Sequence, residues 1–77
     1  MIVQVRAAGH LFYRMPGKRA EAQVDLAAGS AVSDLLAQLG LTRKQVWIIR
    51  VNGENVEGAR LLAEGDSVEL FPMVGGG

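Results

Sequence analysis

The sequence predicts an α+β domain in which one mixed β-sheet wraps around one main helix. Three observations point there: two apolar runs of period two flank a turn near the start, one stretch carries leucines at helical spacing, and β-rich runs separated by glycine-bearing turns follow it. Periodicity alone does not fix the strand order.

Across residues 2–8, Val3, Val5 and Ala7 interleave with Gln4 and Arg6, the pattern of a half-buried strand. Gly9 and His10 end it, and His10, the single histidine, is expected in a loop or at an edge. Met15-Pro16-Gly17-Lys18 reads as a turn, because proline presets one backbone angle and glycine accepts positive φ. Ala22, Val24 and Leu26 then alternate with Glu21, Gln23 and Asp25, so the first two strands are expected to form a hairpin.

Val32, Leu35, Leu36 and Leu39 fall at i, i+3, i+4 and i+7, which is one face of a helix and is read as core. Ser30 is the expected N-cap, Asp34 suits the positive end of the helix dipole, and Gly40 stands where a helix commonly ends. Thr42-x-x-Gln45 has capping-box spacing for one further turn. The nearly continuous apolar run of residues 46–51 suggests a strand covered on both faces, with Trp47 either a core anchor, the favoured reading, or a partly exposed contact residue. Asn52-Gly53 is a type I′ hairpin signal leading to a short strand at Glu54-Asn55-Val56. Arg60-Leu61-Leu62 is an apolar anchor, Gly65-Asp66 a turn, and residues 67–71 the final strand before the breaker Pro72.

With 77 residues the chain is expected to be one domain, residues 1–72, followed by a flexible glycine tail, residues 73–77. A domain of this size buries only about 60% of its unfolded surface, too little for two lobes enclosing an active site. Eight basic and eight acidic residues cancel, which argues against the broad positive field of a nucleic-acid binder. Arg14, Lys18 and Arg19 do cluster, as do Arg43 and Lys44, but each group alone reads as a solvated patch. No cysteine is present, so thiolate chemistry and disulfides are excluded and a cytoplasmic protein is the expectation. No apolar run approaches the roughly 20 residues of a membrane span.

The ending Gly75-Gly76-Gly77 is the candidate working part. Glycines thread passages too narrow for side chains. From Val74 to Gly77 an extended chain reaches roughly 13 Å, enough to enter a neighbour's active site. The chain itself has neither a phosphate-binding Gly-x-x-x-x-Gly-Lys-Ser/Thr loop nor a set of metal ligands, so it is expected to bind no cofactor and to be acted upon. Phe71, Met73 and Val74, at or beyond the last strand, are candidates for an exposed apolar contact surface.

Val51-Asn52-Gly53, then Leu62-x-x-Gly65-Asp66-x-Val68-Glu69, then Phe71-Pro72-x-Val74-x-Gly76-Gly77 resemble the MoaD/ThiS sulfur-carrier family. The segment Gly29-Ser30-Ala31-Val32-Ser33-Asp34-Leu35-Leu36 is similar to its helix pattern. The resemblance implies a β-grasp, ubiquitin-like fold and a carrier, not an enzyme. It further implies that an E1-like enzyme using MgATP adenylates Gly77, with Gly76 its partner in the diglycine, and that a sulfur donor protein then makes the thiocarboxylate. Phe71, Pro72, Met73, Val74 and Gly75 would meet partner enzymes, with Phe71 as the packing aromatic. Phe71-Pro72 and the long first hairpin, with Leu11-Phe12-Tyr13-Arg14 after the first strand, look like MoaD. That branch implies a MoaE-like large subunit of molybdopterin synthase as partner. The ending Val74-Gly75-Gly76-Gly77 is closer to ThiS, which implies thiazole synthase and thiamine. A ubiquitin-like modifier joined to target lysines shares the activation step.

Overall fold

A computed structural model describes residues 1–73. Its elements are β1 (Ile2–Ala7), β2 (Glu21–Asp25), α1 (Val32–Leu39), β3 (Val46–Val51), β4 (Glu54–Val56) and β5 (Ser67–Pro72), with short 3₁₀ turns at Gly9–Arg14 and Pro16–Lys18. The strands form one sheet in the order β2-β1-β5-β3-β4. Only β1 and β5 run parallel; the other three pairings are antiparallel. With α1 packed on one side, this is the β-grasp arrangement.

The core is where the two periodicities meet. Val3, Val5 and Ala7 from β1, Val68 and Leu70 from β5, and Val46, Ile49 and Val51 from β3 form one buried cluster with Val32, Leu35, Leu36 and Leu39 of α1. Residues three and four apart on the helix thus face residues two apart on the strands.

Helix α1 ends as its sequence predicts and begins one residue later. Gly40 adopts φ 74°, its N–H donates to the Ala37 carbonyl, and the Leu41 N–H donates to the Leu36 carbonyl at 2.8 Å, a Schellman stop that also buries Leu41. At the other end Ala31, not Ser30, holds the N-cap position. The Ser30 hydroxyl is committed elsewhere, donating to the Ala27 carbonyl at 2.7 Å, and Asp34 instead reaches back to accept from the Ala31 N–H at 2.8 Å.

Strand β3 also departs from expectation. It is covered on one face only, and Trp47 is 51% exposed. The cause is a β-bulge: Val46 pairs with Pro72 and Ile48 with the preceding residue Phe71, so Trp47 is the extra residue. The slip reverses the alternation, which turns Val46 and Ile49, three apart, into the same core and sends Trp47 and Ile48 outward.

The expected hairpin of β1 and β2 forms, with the turn at Pro16–Lys18, and its connection over residues 8–20 is coiled tightly enough to bury Leu11 and Met15. Of the anchor near residue 61, Leu62 is buried while Leu61 is exposed. The Asn52-Gly53 turn has the predicted positive φ at both residues. Asn52 also ties the turn to the start of β5: its Nδ2 donates to Asp66 Oδ1 and its Oδ1 accepts from the Ser67 N–H, both at 3.0 Å, while the Ala63 N–H donates to Asp66 Oδ2.

The Asn52 and Ala63 hydrogen bonds hold the Asp66 carboxyl below its ordinary value of 3.8. A depressed carboxylate stabilises the fold above the unfolded-state value and loses that contribution as pH falls through the folded one. Asp66→Ala is therefore expected to lower unfolding free energy by about 1 kcal/mol at neutral pH. In urea titrations the gap to wild type should narrow as pH drops below the ordinary carboxylate range.

Candidate functional site

The face of the sheet away from α1 is divided into zones. Cross-strand neighbours Glu21, Arg6, Glu69, Arg50 and Asn55 form one polar row that crosses all five strands. Arg6 Nη2 donates to Glu21 Oε1 at 2.7 Å, and Arg50 Nε donates to Asn55 Oδ1 at 3.0 Å. Opposite charges on adjacent strands of one face attract, so this row satisfies itself.

Two residues further toward the end of β5 the surface becomes apolar. Ile48 and Phe71 are paired there, with bulged Trp47 beside them. A groove of about 230 Å³ is lined by Ala8, Gly9, Trp47, Ile48, Arg50, Phe71 and Pro72. Its closing wall requires glycine: Gly9 has φ +57°, and a Cβ on it would stand 2.9 Å from the Pro72 ring. Phe71 is half-buried and outside the core cluster, and the Arg50 guanidinium lies over its ring, 5.2 Å from the centroid. Arg50 thus joins the polar row to the apolar zone.

A larger hollow of about 290 Å³ lies along Gln4, Arg6, Glu21, Ser67 and Glu69. Volume does not make it the better candidate, because its charged walls are more than half exposed and already paired at Arg6 and Glu21. The apolar groove is smaller, but burying it gains more.

Of the residues singled out in the sequence, Phe71 lines the groove, Pro72 is buried as the last residue of β5, and Met73 is exposed immediately after it. Val74, Gly75, Gly76 and Gly77 lie outside the described residues. Ile48, Arg50 and the Ala8-Gly9 wall were not among the candidates, and for Trp47 the sequence favours the core over the exposed position it takes here. The bulge that presents Trp47 arises from pairing with β5, which no local pattern announces. Among the described residues no group of three potential metal ligands occurs, and no helix is long and apolar enough to cross a membrane.

A truncation test separates this zone from the core. Leu35→Ala is expected to cost about 3 kcal/mol, the range for a fully buried leucine. Trp47→Ser and Phe71→Ala, on the outer face, are expected to cost about 1 kcal/mol or less, read from urea midpoints.

Comparison with known proteins follows the same lines. A family model described as the ThiS family matches residues 12–77. No curated protein sequence matches. Among solved structures, SAMP1 from Haloferax volcanii superposes with a TM-score of 0.74 at 21% identity, covering 100% of both chains. A putative molybdopterin converting factor subunit 1 from Pyrococcus furiosus gives 0.72 at 24% identity, covering 96% of this chain and 99% of that one. In a complex of subunits 1 and 2 of the molybdopterin-converting factor from Helicobacter pylori 26695, the matched chain gives 0.64 at 26% identity over 100% of both chains.

Proposed function

The chain belongs to the ThiS family, within the MoaD/ThiS group of ubiquitin-like sulfur carriers, and from that premise we propose that its Gly77 carboxylate is the cargo site. An E1-like enzyme with MgATP adenylates Gly77. A sulfur donor protein then displaces AMP to leave a thiocarboxylate. The chain takes no part in activation and is a protein co-substrate, working in the cytoplasm.

The chemistry explains the division of labour. A carboxylate is a poor acyl donor at neutral pH, and joining it to AMP supplies a leaving group. Activation therefore needs an enzyme that recognises this domain and holds its last residues. The observation that carries the reading is the position of the groove: Trp47, Ile48 and Phe71 form an exposed apolar surface at the end of β5, directly before the glycines. A partner covering that surface has the tail in reach, with Phe71 and Trp47 as the aromatic anchors.

For the acceptor we favour a MoaE-like large subunit of molybdopterin synthase, where the thiocarboxylate delivers sulfur to a pterin precursor. The long connection over residues 8–20 and the likeness to the Helicobacter pylori subunit in its complex support this branch. The family model supports the alternative, thiazole synthase in thiamine synthesis. The product also separates these from a protein modifier, which would accumulate as isopeptide conjugates.

Incubation of the protein with ATP, its activating enzyme and a sulfur donor should raise its intact mass by the exchange of one oxygen for sulfur. Deletion of Gly77 should abolish that shift and leave the melting temperature unchanged. Equal sulfur loading of the truncated and full-length proteins would refute the assignment.

A further inference from the structure

Two small basic groups that mean little separately in the sequence come together in the fold. Arg14, Lys18 and Arg19 lie on the connection between β1 and β2, Lys44 lies on the turn before β3, and all four are exposed. The segments that carry them meet where β5 finishes. Ala7 N–H donates to the Ala20 carbonyl at 2.7 Å, Ala8 N–H donates to the Leu70 carbonyl at 2.9 Å, and Val46, two residues after Lys44, pairs with Pro72. Arg14 reaches toward the C-terminal end of α1, four residues before Lys44, with Nη1 3.9 Å from where a Cβ on Gly40 would sit.

None of these four cations forms an ion pair among the described residues, whereas Arg6 is held by Glu21 and Arg43 by Glu57. Four of the eight acids lie at the other end of the sheet, while Glu21 and Glu57 are held by Arg6 and Arg43. Asp25 pairs with Ile2, Glu64 accepts from the Ile2 N–H, Asp66 binds Asn52, and Glu54 opens β4 after the turn. The N-terminal ammonium beside Asp25 and the field of Arg60 at Asp66 offset only part of that charge. A chain of zero net charge is thus a dipole whose positive pole lies at the end of the sheet where β5 finishes. The poles are separated by about the length of β1, ~17 Å. That exceeds the Debye length of ~8 Å in physiological salt, so the acidic end does not cancel the field that a partner meets at the basic one.

We propose that Arg14, Lys18, Arg19 and Lys44 form a docking rim for an acidic surface around the catalytic entrance of the activating enzyme, a partner that the sulfur-carrier reading supplies. The rim steers the tail end, rather than the acidic end, toward that entrance. A protein partner fits better than nucleic acid because the same end carries the Trp47–Phe71 groove. An apolar centre inside a charged rim is the make-up of a protein interface, while phosphate binding calls for an unbroken basic stripe. Here that stripe would be interrupted by Glu21 and Glu69.

The test is stopped-flow association of the full chain with its activating enzyme and MgATP at increasing salt. The combined variant Lys18→Glu, Arg19→Glu and Lys44→Glu should associate at least about tenfold more slowly at low salt, within the range of electrostatic steering. Its rate should lose the salt dependence of wild type. Glu54→Lys, at the far pole, should stay within about twofold of wild type, and melting curves establish that each variant is folded. Equal association rates for wild type and the triple variant overturn the docking rim, and thiocarboxylate formation by both would leave the carrier reading intact. Salt-dependent association without any thiocarboxylate overturns the carrier chemistry and leaves the rim standing. A single-stranded oligonucleotide that binds wild type and not the triple variant would overturn the rim as a protein-docking surface.

Discussion

One short helix can cover only one face of a five-stranded sheet. The leucines of α1 take the inner face, and every remaining feature is a consequence of what the chain does with the other. An uncovered sheet face in a domain this small must be either polar or destined for a partner. This one is both. Glu21, Arg6, Glu69 and Arg50 close it with a self-satisfying charged row, and the apolar residues are confined to the end from which the tail departs.

The bulge at Trp47 does two things through one extra residue. It keeps Val46 and Ile49 together in the core despite their odd spacing, and it places Trp47 and Ile48 side by side on the outer face. A regular strand would have put Trp47 and Ile49, two residues apart, on the same face. The buried core and the exposed apolar patch are therefore set by the same local irregularity. Gly9 makes a comparable double contribution, since its positive φ and its missing Cβ let the 3₁₀ turn close against Pro72.

Much of this was legible in the sequence where local chemistry decides it. The 3.6-residue spacing of Val32, Leu35, Leu36 and Leu39, the stop at Gly40 and the Asn52-Gly53 turn each carry their own cause. What failed were positions where a competing local bond won, or where partners distant in sequence decide. Ser30 lost the cap to Asp34 and Ala31 because its hydroxyl had a nearer carbonyl at Ala27. Trp47 was assigned to the core because an apolar run does not reveal register. The merging of Arg14, Lys18 and Arg19 with Lys44 depends on how the connection over residues 8–20 folds back, which composition cannot express. For the candidate site, Phe71 could be read directly, whereas the groove around it required the pairing of β3 with β5.

On the proposed reading, partner enzymes engage the outer face at the end of β5. Hydrogen–deuterium exchange on the complex with the activating enzyme tests it most directly. Protection should rise over residues 8–9, 46–48 and 70–72, with β4 and the Asn52-Gly53 turn unchanged. Protection confined to β4, the β2 edge or the exposed side of α1, with the groove exchanging as in the free protein, would contradict it.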